Sequence, residues 1–360
     1  MKAYDFRWSL QQQWHDTENG FRISGGSIGP DRLAIESEIR LKHSLSNDVD
    51  VRVQLKEETF YDKKPLPHPL LEIALHPWLI PIELSVLGTA AYDKRQADLG
   101  AAISFGLRPQ NYFRVIWLEQ DYFYNSKNVF DESRYTQRPR VFQIHSDYWF
   151  NTQLHGQFSW QQSRPLTLLL TEEKQKFQQK SKQLHLGLSY HYQQNNIFAI
   201  AYHNFEIDKS LEENEHQQQT ITFNSLDIHW TRFFYFSYEV TVGSQLDIFS
   251  NQLRNITFPD QHFDDSFSTW QLYSTLYHSY SSHAAWDIGL YMGRVKKEKN
   301  YLQKDISDTQ KNATETKLRT SWEYHSVNHN SSLIFHFSFN LDDLANDPGD
   351  GGGISFQMKI

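Results

Sequence analysis

Residues 32–45 read RLAIESEIRLKHSL, and the chain changes character there at almost every step. Leu33, Ile35, Ile39, Leu41 and Leu45 hold odd positions, whereas Arg32, Glu36, Glu38, Arg40 and Lys42 hold even ones. Successive side chains of a strand point to opposite faces, so this segment carries one apolar face and one charged face. A helix would scatter the same apolar residues around its circumference. At about 3.3 Å per residue the segment spans roughly 46 Å, well beyond the usual strand of a globular sheet. A tilted strand of that length crosses a bilayer. The pattern therefore predicts an all-β fold, an antiparallel transmembrane β-barrel with apolar faces toward lipid and charged faces toward a wet lumen.

The same unit recurs. Residues 3–13 set Tyr4, Phe6, Trp8 and Leu10 against Asp5, Arg7, Ser9 and Gln11, and Val51, Val53 and Leu55 alternate with Arg52, Gln54 and Lys56. Further along, one parity carries Leu184, Leu186, Leu188, Tyr190 and Tyr192, then Phe198, Ile200 and Tyr202, then Trp286, Ile288, Leu290 and Met292. Residues 99–107 place Leu99, Ile103, Phe105 and Leu107 opposite the small Gly100, Ala102, Ser104 and Gly106, a face that suits close approach or a curved wall. Residues 111–124 are apolar on both faces at first, which points to a bulge or a plugged section. Residues 141–161 fit either one very long strand or a tight hairpin. Long polar connections are expected at 125–138, 172–181, 207–217, 249–266, 296–315 and 342–352, separated by short ones such as QQNN, SSH and VNHN. Long on one side and short on the other is the rhythm of a membrane barrel, and about eighteen strands (roughly sixteen to twenty) in one domain, residues 1–360, accommodate it.

Composition narrows the classes. Mean hydropathy is -0.66 and no run of about 20 apolar residues occurs, so a helical span is not expected; half of each barrel strand is polar and escapes that test. Aromatic residues make up 15% of the chain and suit interfacial girdles, with Trp8, Trp160, Tyr190, Tyr192, Trp270, Trp286 and Trp322 as candidates. The absence of cysteine excludes disulfides and thiolate metal sites, and a net charge of -8 without a basic stripe gives no footprint for nucleic acid. Met1 is followed at once by strand-like residues with no apolar leader core, so an export signal is expected to have been removed or to lie outside this sequence.

The last residues, GGISFQMKI, keep Ile354, Phe356, Met358 and Ile360 on one face to the end. Here the chain resembles the Gram-negative outer-membrane β-barrel proteins of porin-like architecture, whose final strand ends in alternating hydrophobic residues read by the assembly machinery. That family usually ends in an aromatic residue, whereas Ile360 is aliphatic. The resemblance implies the cell outer membrane as location, the lipid bilayer and the assembly machinery as partners, and a protein partner or a homo-oligomer as a further possibility.

The residues that would line the lumen are Arg32, Glu36, Glu38, Arg40, Lys42, Arg52, Lys56 and Glu58. Both signs occur, which suits either a transverse field across a pore or ion pairs filling a closed barrel. The seventeen histidines sit mostly singly. His185 and His191 share a polar face with Ser189 but lack a nearby acid in sequence, and His145 and Ser146 fall on opposite faces. His336 and Ser338 have the spacing of outer-membrane phospholipases but face the lumen side and lack the following Asn-Gly. The acids of LDDLANDPGDGGG lack EF-hand spacing and read as an external loop. The expected function is a channel or transport pore for small polar solutes, not an enzyme, with no cofactor and no metal. The alternatives are a closed barrel serving export of a polymer or surface protein as a structural partner, and a lipid-modifying enzyme built on His336.

Overall fold

The two-residue period of the sequence becomes one continuous antiparallel sheet in the computed structural model. It describes residues 19–27, 33–59, 68–76, 81–89, 99–106, 111–119, 134–137, 140–163, 166–170, 175–193, 195–212, 216–234, 237–255, 263–301, 309–328, 330–342 and 349–359. Among these the strands are β1 (Gly20–Ser27), β2 (Leu33–Ser46), β3 (Val49–Thr59), β4 (His68–Leu75), β5 (Ile82–Thr89), β6 (Leu99–Gly106) and β7 (Tyr112–Glu119). They continue with β8 (Arg134–Gln137), β9 (Arg140–Trp149), β10 (Leu154–Ser163), β11 (Leu166–Leu170), β12 (Gln175–Tyr192), β13 (Asn196–Glu212) and β14 (His216–Phe234). The last six are β15 (Tyr238–Asn255), β16 (Phe263–Ser281), β17 (Ala284–Tyr301), β18 (Thr309–His325), β19 (Ser331–Asn340) and β20 (Gly349–Lys359). No helix occurs among the described residues.

Each stave pairs with the next, β7 with β9 and β10 with β12, and β20 returns to β1 from Gly20↔Lys359 to Gly26↔Gly353. The ring therefore closes with eighteen staves, the even number that the alternation called for. β8 and β11 carry the staves of β9 and β10 further up the wall: β8 pairs with β11 in the register of the β9–β10 ladder, from Ser163↔Val141 on to Thr167↔Gln137, and β11 continues along β12 from Leu166↔Gln179 to Leu170↔Gln175.

The exterior is apolar and the interior polar. On β4, Leu71, Ile73 and Leu75 are exposed while Glu72 and Ala74 between them are buried, and on β5 Leu84 and Val86 alternate with Glu83, Ser85 and Leu87 in the same way. An apolar residue exposed at every second position around a closed sheet is what lipid requires, since a packed core would bury it. Aromatics mark the edges of this belt. Tyr190, Tyr192, Trp286, Trp322, Tyr238 and Tyr280 lie toward the end with short turns, and Trp286 sits directly across from Trp322. Trp160 and Trp270 lie toward the opposite edge, where Trp270 donates its indole N–H to Ser244 Oγ at 2.9 Å. From Trp270 to Tyr280 on β16, a strand tilted as barrels require rises about 26 Å, the height of the lipid-facing band. Trp8 lies outside the described residues, as does the strand expected at residues 3–13.

Two sequence expectations change, and an alternative left open is decided. Most of the polar stretches taken for long connections are strand: β12 to β18 run 17 to 19 residues each and carry residues 175–181, 207–212, 249–255, 296–301 and 309–315. Beyond the belt a strand meets water on its outer face and needs no apolar alternation there, so the pattern fades although the ladder continues. No bulge interrupts β7, whose ladders to β6 and β9 keep register throughout; register shifts fall at Ser44/Ser46, Ser279/Ser281 and Ser338/Phe339 instead. Residues 141–161 form a hairpin, β9 and β10, turning at 150–153. The barrel is thus lopsided, with a tall wall of β12–β18 and a short wall of β4–β7 whose strands have 8 residues each.

Because Leu188 faces lipid midway between the level of Trp160, which pairs with Leu184, and Tyr192, Leu188→Arg should destabilise the barrel by about 2–4 kcal/mol. The lumen-facing change Gln245→Arg should leave folding intact. Urea unfolding in vesicles, with heat-modifiable gel mobility as the check for folded barrel, measures both.

Candidate functional site

The inner face of the short wall holds a network of ion pairs that only the register could assemble. Arg52 of β3 donates through Nη1 to Glu72 Oε1 of β4 at 3.0 Å and through Nη2 to Glu83 Oε2 of β5 at 2.8 Å, with Asp50 Oδ2 at 3.4 Å. Arg114 of β7 reaches the same Glu72 oxygen at 2.8 Å, and Ser85 Oγ donates to it at 2.6 Å. Asp50 also takes Lys42 Nζ at 3.1 Å, Ser44 Oγ at 2.7 Å and His76 Nε2 at 3.0 Å. Beside this network, Glu38 accepts from Arg40 Nε and from Gln54 Nε2, each at 2.6 Å.

Asp50, Glu72 and Glu83 are all buried, and three carboxylates at such range are tolerable only because guanidinium groups stand between them. Of the eight expected lumen residues, Glu38, Arg40, Lys42 and Arg52 lie on the inner face in this cluster. In the β2–β3 ladder Glu36 pairs with Glu58 and Glu38 with Lys56. Arg32 lies outside the described residues. The sequence reading missed Asp50, Glu72, Glu83 and Arg114. Glu72 and Glu83 sit on alternating segments of β4 and β5 and so carried a parity signal, but their arginine partners are 20 to 42 residues away.

The histidines of β9, β10 and β12 form a second inner group. His155 meets Asp147 Oδ1 at 2.9 Å and stacks on Trp149 with centroids 4.6 Å apart, and His191 lies 5.0 Å from the same indole. Asp147 holds His155, whereas Ser189 Oγ contacts His191 at 3.3 Å. The serine and the acid thus address different rings, which is not the relay that nucleophilic catalysis needs. His145, unable to pair with Ser146, meets Ser159 Oγ at 3.0 Å across the β9–β10 ladder. His336 and Ser338 share the inner face of β19, alternating with the exposed Phe337 and Phe339.

On the tall wall the inner face within the belt is polar. Tyr273 crosses the space left by Gly243, where a Cβ would collide with its phenol, and donates to Asp227 Oδ2 at 2.9 Å. Its ring stacks on Tyr291 at 5.6 Å, and Arg319 lies over Tyr291 at 4.3 Å. Asp247 accepts from Gln245, which in turn accepts from Gln271 at 2.9 Å.

Removing Arg52 takes away the side chain that contacts Asp50, Glu72 and Glu83 together. Arg52→Ala should cost about 3–5 kcal/mol, and adding Glu83→Gln should recover part of that loss. A double-mutant cycle on urea unfolding in vesicles reads the coupling, and additive losses would count against the network.

No protein-family model and no curated protein matches this sequence. Among solved structures the chain is similar to OccK2 (OpdF) of Pseudomonas aeruginosa in complex with glucuronate, at 8% identity and a TM-score of 0.45, over 95% of this chain and 98% of that one. It is similar to OmpT, an outer membrane protein of Vibrio cholerae in trimer form, at 10% identity and a TM-score of 0.44, over 95% and 98%. A bacterial polysaccharide outer membrane secretin follows at 10% identity and a TM-score of 0.42, over 97% and 100%. The protein's own geometry decides the architecture: a closed, even-numbered antiparallel ring with an apolar exterior, an ionic interior and short turns at one end is an outer-membrane β-barrel.

Proposed function

We propose that the protein is an outer-membrane channel through which small polar solutes diffuse, with no chemical step and no bound cofactor. The observation that carries this reading is the segregation of faces around a ring of eighteen staves. Eight staves enclose a space that side chains fill, whereas sixteen to eighteen leave an aqueous channel. The polar inner residues then serve as wall. Their arrangement favours orientation of a dipolar solute, because the paired charges of β3–β5 lie on one side and β15 stands nine staves from β4 in either direction. Entry into the membrane would use β20, whose outward Ile354, Phe356 and Met358 present the alternating terminus that the assembly machinery reads.

Folded protein should give stepwise ion conductance in planar bilayers. Glu83→Gln, which removes one negative charge from the wall, should lower the preference for cations as read from the reversal potential in a salt gradient. Folded barrel that passes no current and admits no small sugar or amino acid into liposomes would remove the pore reading while leaving the fold untouched.

A further inference from the structure

As the tall wall leaves the lipid belt, its apolar side changes face. On β15 the outward series Val242, Leu246 and Ile248 gives way to Ser250, Gln252 and Arg254, while the inward series Gln245 and Asp247 gives way to Phe249. The outward change is expected, since water replaces lipid. The inward change has no such cause. It recurs on four adjacent staves in direct register, where Phe205 of β13 pairs with Phe223 of β14, Phe223 with Phe249 of β15, and Phe249 with Phe267 of β16. Parity puts all four on the side of Asp247, Ser225 and Thr269, which are buried, and opposite the exposed Ile248. The phenyl groups themselves are half-buried, and those of Phe249 and Phe267 lie nearly parallel with centroids 5.1 Å apart.

Direct partners line up perpendicular to the strands, and barrel strands are tilted, so this row climbs obliquely over three strand spacings, about 14 Å. Its surroundings are polar beneath the whole row and, on β15 and β16, above it as well. The row beneath is His203, Ser225, Asp247 and Thr269, the row above passes from Ile207 and Ile221 to Asn251 and Asp265, and the ends are Gln183 and Lys297. On β15 and β16 the apolar strip is one residue wide.

We infer that this row is a track for oligosaccharide, an inference that rests on the reading of the lumen as a solute pathway. A sugar ring has an apolar C–H face and a rim of hydroxyl groups. A narrow aromatic strip takes the first, and hydroxyl, amide and carboxylate side chains, on both flanks at β15 and β16 and beneath the row at β14, take the second. An acyl chain would need aliphatic flanks in place of Ser225, Asp247, Thr269, Asn251 and Asp265. The rings follow one another at the strand spacing, so a bound sugar chain passes from one to the next without leaving the strip.

Maltohexaose added to single channels in planar bilayers should interrupt the current. In the double variant Phe249→Ala with Phe267→Ala the residence time should fall roughly ten- to hundredfold, and Phe249→Tyr with Phe267→Tyr should restore it. Heat-modifiable mobility confirms that both variants fold, and calorimetric titration of the detergent-solubilised barrel with maltohexaose measures binding apart from conductance. A channel that conducts ions but shows neither interruption nor binding overturns the track and leaves the pore standing. Interruption unchanged by the alanine pair overturns it as well. Binding by a folded barrel that passes no ions supports the track and removes the pore.

Discussion

Everything in this structure depends on the requirement that no backbone N–H or C=O remain unpaired in hydrocarbon. A sheet meets that requirement only by closing on itself, and here closure joins the two ends of the described chain, β1 and β20. The Phe21 ring lies 6.4 Å from the Phe356 ring across this seam. Until the seam forms, both terminal staves present an open edge to lipid, so the alternation of the last residues is a condition for the whole ring. This gives physical content to a last stave whose outward Ile354, Phe356 and Met358 are all apolar.

Closure also fixes how the remaining residues can be used. Once each side chain points either to lipid or to the lumen, a register shift of one residue would exchange the two sets, and the ladders of β12–β15 run without any shift. The tall wall uses this rigidity at two heights. Within the belt the outer face is apolar and the inner face hydrogen-bonded, as in Tyr273 to Asp227. Above it, outer charges pair in water, Lys180 with Asp208 at 3.0 Å and Lys296 with Glu298 at 2.6 Å, and the phenyl groups turn inward. One backbone geometry thus carries two opposite amphipathic patterns in series.

That series explains what could be read in advance. The apolar half of each stave was legible, because Leu184, Leu186 and Leu188 or Trp286, Ile288 and Leu290 announce a lipid face by period alone. The upper halves were not. On β12, the outward Lys180 and Lys182 and the inward Ser181 and Gln183 are all polar, so no period survives and strand looks like loop. The ionic network was half legible: Glu38, Arg40 and Arg52 stood on alternating segments, but the pairing of Arg114 with Glu72 spans 42 residues and required the closed register. The phenyl row left no signal in sequence, since the intervals between its members depend on the length of each intervening hairpin.

The position of the ionic network follows from the same lopsidedness. β4 and β5 share six paired positions, from Leu70↔Thr89 to Leu75↔Leu84, whereas β14 and β15 share eighteen. A short ladder resists shear and fraying less than a long one, and Leu71, Ile73 and Leu84 contribute nothing to cohesion between staves when lipid competes for their contacts. Arg52 ties β3 to β4 and β5, and Arg114 reaches from β7 across two staves to Glu72 on β4. These side chains therefore cross-link the wall laterally where its backbone does so least. Charges on the inner face of the short wall strengthen the weakest part of the ring, and the tall wall, held by its own ladders, is free to carry aromatic residues that its stability does not require.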